Sequence, residues 1–137
     1  MFVALLYLVL DSENKTLSLC SAGQTQPVLR TATTGDAALV QTKGDSFPLG
    51  ILEDVGYEET RLKLETGDKV VLYTDGVVEA MNTSEEMFGF DRLCEVIKDT
   101  ETLTAQSLLE EIRNKVNDFT SGAPQHDDIT IIVVQAV

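Results

Sequence analysis

The run Lys69-Val70-Val71-Leu72-Tyr73-Thr74 restricts the fold of this chain more than any other segment. Consecutive β-branched and aromatic side chains leave neither face of a strand for water, so the run belongs inside a sheet, with neighbours on both edges. It stops at Asp75-Gly76. The sequence offers several partners for it. Residues 2–10 are apolar and β-prone, and read as a buried strand beginning at the first residues of the chain. A polar turn at residues 11–14 leads into residues 16–22, where Leu17, Leu19 and Ser21 share one face and Thr16, Ser18, Cys20 and Ala22 the other, as in a hairpin. Residues 27–30 and 38–40 suggest a second short pair across a small, polar loop, and residues 47–52 an apolar turn marked by Pro48 and Gly50. Residues 57–64 alternate, with Thr60, Leu62 and Leu64 facing one way and Glu59, Arg61 and Lys63 the other, which is a half-solvated strand. Residues 129–134 form a last apolar strand.

Helical spacing appears only between these strands. Residues 88–97 place Leu93, Val96 and Ile97 on one side, with Asp91 near the start. Thr104-Ala105-Gln106-Ser107 opens a stronger helix whose stripe is Leu108, Leu109, Ile112, Val116 and Phe119, with Glu110, Glu111, Arg113 and Lys115 on its wet side. Ser121-Gly122-Ala123-Pro124 ends it. Strands, then two helices, then a returning strand predict an α+β domain with a largely antiparallel sheet, not the alternating order of a doubly wound fold. With 137 residues, 43% of them hydrophobic, one core and one domain over residues 1–137 are expected.

Charge narrows the function classes. Asp and Glu number 23 against 10 Lys and Arg, a net charge of −13. Nucleic acid and anionic membrane surfaces are thereby excluded as expected partners, since association would begin with like-charge repulsion. An anionic substrate meets the same barrier unless a cation is bound first. The apolar residues 1–10 are too short to span a bilayer, so no membrane insertion is expected. Cys20 and Cys94 are too few for a disulfide framework and read as small buried hydrophobes, which makes a reducing, cytoplasmic location the default.

Two acidic segments flank apolar strands, where rigid backbone would hold a carboxylate in place. Asp75 follows the central run, and Gly76 lets backbone approach closely. Asp127 and Asp128 precede the last strand. If those two strands are neighbours, Asp75 and Asp127 converge at one rim. Such carboxylates suit hard, oxygen-seeking cations such as Mg²⁺ or Mn²⁺. Taken singly, Asp75-Gly76 is more simply an ordinary turn and Asp127-Asp128 a solvated loop. Glu79 and His126 read as bystanders, Glu53, Asp54, Glu58 and Glu59 as a solvated face. Arg30 and Arg92 are the arginines placed nearest a phosphate, with Arg92 expected to pair with nearby acids.

The segments 73–80 (YTDGVVEA), 87–93 (MFGFDRL) and 127–130 (DDIT), in this order, together resemble the SpoIIE and RsbU-like branch of the metal-dependent protein phosphatases, the PP2C superfamily. Residues 21–27, 47–50 and 64–68 fall where that family has similar segments, so the resemblance covers the whole chain. It implies an antiparallel β-sandwich flanked by helices and a serine/threonine phosphoprotein phosphatase. Its centre would hold two manganese or magnesium ions that acidify a shared water for in-line attack on phosphorus and offset the phosphoryl charge. By the same resemblance Asp75 matches the family's Asp-Gly metal ligand and Asp127 the carboxylate of its C-terminal Asp-Asp or Asp-Asn motif. Asp128 is a further candidate, and Gly76 lies as backbone near the site.

Two departures stand out. Gln24 occupies a position where the family commonly has histidine. The family's Gly-Asp-x-x-Gly-His-Gly type motif, whose Asp bridges both metals, is matched nowhere: Gly35-Asp36, Gly44-Asp45 and Gly67-Asp68 all lack the following glycine pair. The chain is therefore expected to be the C-terminal portion of such a domain, lacking its N-terminal part and inactive alone. The implied partner is a phosphorylated anti-sigma-factor antagonist or similar regulator, with a homo-oligomer through exposed sheet edges as a further expectation. The alternative is a non-catalytic, phosphatase-like interaction module in signalling.

Overall fold

The computed structural model describes residues 1–99 and 104–137. Its strands are β1 (Leu5–Asp11), β2 (Thr16–Ala22), β3 (Val28–Arg30), β4 (Ala37–Leu39), β5 (Thr60–Lys63), β6 (Lys69–Tyr73) and β7 (Ile131–Gln135). Its helices are α1 (Asp75–Val78), α2 (Gly89–Lys98) and α3 (Ala105–Thr120). Among the described residues the strands make two antiparallel sheets, one ordered β1-β2-β5 and one ordered β4-β3-β6-β7. The α+β antiparallel sandwich is thus observed, and β6 is its interior strand: all five of its residues are buried, and it is hydrogen-bonded to β3 on one side and β7 on the other.

The alternation of β6 divides the core. Val70 points into the space between the sheets with Leu17, Leu19, Val40 and Leu64. Val71 and Tyr73 point the other way, into the larger cluster built with Leu93 and Ile97 of α2 and Leu108, Ile112 and Val116 of α3. The layers are therefore sheet, sheet, helices, with α3 over β7 and α2 over β3 and β4. Burial of Tyr73, with Cys94 nearby, pushes its phenol above the ordinary range, so it stays neutral. The start of α3 is closed by a capping box, in which the Thr104 hydroxyl accepts from the Ser107 amide and the Ser107 hydroxyl accepts from the Thr104 amide. Its end is set by Ser121 and Gly122, both in the left-handed region.

Three expectations are corrected. Residues 2–10 are not a buried strand: β1 starts at Leu5 and runs along a sheet edge, and its outward Leu5, Tyr7 and Val9 are 44%, 63% and 49% exposed. Only Leu6 and Leu8 pack against the inter-sheet core. An unbroken apolar run does not say which of its faces is covered. Cys20 and Cys94 are half-buried free thiols; burial, with Asp91 nearby, raises the Cys94 thiol. Arg30 lies in the interior, 2% exposed, beside its register partner Lys69 at 3%. Its Nε donates to the Lys98 carbonyl at the C-terminal end of α2, 3.4 Å away, where the helix dipole favours a cation.

Two measurements check this packing. Ile112→Ala removes a fully buried side chain from the helix–sheet core and is expected to cost about 2–5 kcal/mol in urea unfolding. Burial, and then the neighbouring Arg30, lower the pKa of Lys69. The charged form is thus disfavoured in the folded state, and this group makes folding more favourable as pH rises from its folded pKa to the unfolded value near 10.4. Lys69→Met is expected to flatten that part of the stability–pH curve.

Candidate functional site

The pairing of β6 with β7 ends in a side-chain latch. The Thr74 amide donates to the Thr130 carbonyl at 3.1 Å, and the Thr130 amide returns a bond to Thr74 Oγ1 at 3.0 Å. The same hydroxyl donates to the Asp128 carbonyl at 3.1 Å. On the other side, the Thr25 hydroxyl donates to the Tyr73 carbonyl. The last residue pair of the ladder is thereby extended to the residues that carry the acidic segments. Two carboxylate-bearing segments far apart in sequence come to one end of one sheet.

Asp75 does not end the strand in a simple turn, as its Asp-Gly sequence suggests. It opens α1, with the Val77 amide donating to the Thr74 carbonyl and the Glu79 amide to the Asp75 carbonyl. Gly76 is buried, and a Cβ there would collide with the Asp128 carbonyl oxygen, so the close approach of the two segments requires glycine. Asp75, Asp127 and Asp128 have exposed side chains on this rim. Asp127 Oδ1 accepts the Asp128 amide at 2.7 Å, and the Asp127 carbonyl accepts Gln125 Nε2 at 2.8 Å, which holds the loop locally.

Glu79 and His126 are exposed, and with Gly76 and Asp127 they border a cavity beside the rim. Arg92 is a correction: among the described residues it pairs with no acid, but donates to the Met87 and Phe88 carbonyls at 2.8 and 3.1 Å, with its guanidinium 4.7 Å from the Phe119 ring centre. Gln24 accepts the Thr25 amide through its side-chain oxygen, next to the latch. Thr74 and Thr130 escaped the sequence reading. A threonine at the end of an apolar run looks like ordinary strand propensity, and only the pairing shows that its hydroxyl serves two bonds.

The donor chemistry of the rim fits a hard divalent cation, because carboxylate oxygens are its titratable groups. The number of donors does not complete a shell. Among the described residues no group of three or more His, Cys, Asp or Glu is placed to hold one metal ion. The rim thus offers carboxylate oxygens but, among the described residues, no complete donor set.

The profile of the family described as Stage II sporulation protein E (SpoIIE) matches residues 1–137. The chain belongs to the SpoIIE family. It is 31% identical over 135 residues to protein IcfG of Synechocystis sp. (strain ATCC 27184 / PCC 6803 / Kazusa), covering 98% of this chain and 20% of that protein. It is 28% identical over 138 residues to the phosphoserine phosphatase RsbU of Bacillus subtilis (strain 168), covering 98% of this chain and 39% of RsbU. The fold matches the Mn-presoaked structure of the phosphatase domain of SpoIIE from Bacillus subtilis with a TM-score of 0.73 at 19% identity, over 96% of this chain and 56% of that one. The chain therefore has the fold of a PP2C-like SpoIIE/RsbU phosphatase domain, and spans well under two thirds of the length of each of these proteins. Among the described residues no helix is long and apolar enough to cross a membrane.

The latch yields a prediction for this family member. Thr74→Val keeps the shape of the side chain but removes the acceptor of the Thr130 amide and the donor to the Asp128 carbonyl. It is expected to cost about 0.5–1.5 kcal/mol in urea unfolding and to speed hydrogen exchange at the Thr130 amide.

Proposed function

We propose that residues 1–137 are the C-terminal portion of a metal-dependent serine/threonine phosphoprotein phosphatase domain of the SpoIIE/RsbU type, whose substrate is a phosphoserine or phosphothreonine on a bacterial regulatory protein. The observation that carries this reading is the latched rim, where Thr74 and Gly76 bring the segments of Asp75 and Asp127 to one end of the β6–β7 pair. Asp75 and Asp127 would be the metal ligands, with Asp128 a further candidate. Mn²⁺ or Mg²⁺, when bound, would supply the positive charge that offsets the phosphoryl oxygens and acidifies water. The chain's own part is positional: Asp127 is oriented by the Asp128 amide, and Gly76 leaves room for the Asp128 carbonyl against α1. With a net charge of −13, the rim attracts cations before it can hold a phosphate.

The partner in this reading is a phosphorylated anti-sigma-factor antagonist or a similar regulator, in the cytoplasm; the likeness to RsbU, a phosphoserine phosphatase, supports it. The exposed outer face and free edge of β1 support self-association of the isolated chain. A non-catalytic interaction module is the second reading, favoured by the lack of a three-donor group among the described residues.

Calorimetric titration with MnCl₂ and a p-nitrophenyl phosphate assay on the isolated chain are expected to show one weak metal site at most and no appreciable turnover. Robust metal-dependent hydrolysis would show that these residues suffice for a complete centre. In a protein carrying the whole family domain, Asp75→Asn is expected to lower kcat at least about 100-fold, a loss already reached when outer-shell partners of a metal are removed, with the circular dichroism spectrum unchanged. Survival of activity in that variant would remove Asp75 from the site, and absence of Mn²⁺-dependent activity in the unmutated domain would favour the interaction module. Light scattering at high concentration is expected to show species larger than the 15.0 kDa monomer.

A further inference from the structure

A cavity of about 240 Å³ opens directly beside the rim. Met81, Met87, Val116 of α3, Ala123 and Pro124 are among its apolar lining, and much of the rest is polar, including Asn117 and Gln125. Asp127 and Gly76 border it, so the cavity and the candidate metal rim share residues.

The methionine part of the lining is held in shape by the backbone. Met81 and Met87 face each other across an antiparallel bridge, and the Phe88 amide donates to the Ala80 carbonyl at 2.8 Å. Asn82 Oδ1 closes the turn between them by accepting the Ser84 and Glu86 amides at 2.9 and 3.0 Å. Arg92, lying over Phe119 of α3, holds the Met87 carbonyl. The cavity is therefore preformed, as binding pockets usually are.

We infer that this cavity receives an apolar side chain of the phosphorylated protein, close in sequence to the phosphoserine or phosphothreonine addressed at the rim; this rests on the phosphatase reading and names a specificity determinant for it. Size fits such an occupant, since an apolar cavity of about 150 Å³ already holds benzene, and this one has room for a Leu, Met or Phe side chain. Chemistry fits as well. Two methionines give a polarisable, adaptable lining that accepts more than one apolar shape. Among the described residues no Lys or Arg lines the cavity, so the phosphate itself is not its ligand, and Glu79 and Asp127 repel an acidic side chain. Continuity with Asp127 sets the distance: a residue seated here lies within a few positions of one whose phosphate reaches the rim.

The test is an NMR titration of the ¹⁵N-labelled chain, in excess MgCl₂, against phosphoserine peptides with alanine flanks in which a single Leu is moved from three positions before the phosphoserine to three after. One position of Leu is expected to bind about tenfold tighter than the all-alanine peptide, the gain from burying one such side chain, with shifts at the amides of Met81, Met87 and Ala123. Glu at the same position is expected to bring no gain. Met87→Glu, at an exposed side chain, and Ala123→Leu, which adds bulk to the lining, are each expected to abolish the preference. Equal affinity for Leu and alanine peptides, or a Leu preference that survives both variants, would overturn the pocket and leave the phosphatase reading standing. A Leu preference that is intact, alongside a complete family domain with no Mn²⁺-dependent hydrolysis, would support the pocket and overturn the phosphatase reading instead.

Discussion

The structure depends on the double-sided burial of β6. A strand with every side chain inside must have hydrogen-bonded neighbours on both edges and packed layers on both faces, because unpaired backbone groups in the interior would cost more than the packing returns. β3 and β7 supply the edges, the β1-β2-β5 sheet one face, and α2 and α3 the other. Each remaining element is placed by its relation to this strand.

The same strand makes the chemistry at its end positional. Asp75 and Asp127 are exposed, yet their backbones hang from a buried ladder extended by the Thr74 hydroxyl. Rigid scaffolds that end in exposed polar groups are how folds hold functional side chains within narrow tolerances. The hairpin of Met81 and Met87, locked by Asn82 and Arg92, extends that rigidity outward from the rim to the wall of the neighbouring cavity.

Much of the fold is legible in the sequence because periodicity reports burial where one face is wet and the other dry. The stripe of Leu108, Ile112 and Val116, the inward Leu17 and Leu19 of the hairpin and the continuous run of β6 all fall where the pattern puts them. The pattern fails where burial is not a local property. Residues 2–10 are as apolar as β6, yet β1 is an edge strand with a bare outer face. Arg92 sits among acids in sequence, yet its guanidinium goes to carbonyls and an aromatic ring, because the first turn of α2 lies against Phe119 of α3.

The sequence by itself determined the order of the strands and of the two longer helices, the excess of negative charge, and, through the combination of YTDGVVEA and DDIT segments, membership of the SpoIIE family. These are properties of local pattern and composition, readable one segment at a time. Only the tertiary structure decided that Thr74 and Asp128, 54 residues apart, share a hydrogen bond. It also decided that Gly76 must lack a side chain and that three separate segments enclose a cavity next to Asp127. Those facts follow from which strands become neighbours and which backbones touch, and contacts between distant segments leave no periodic trace in either segment alone.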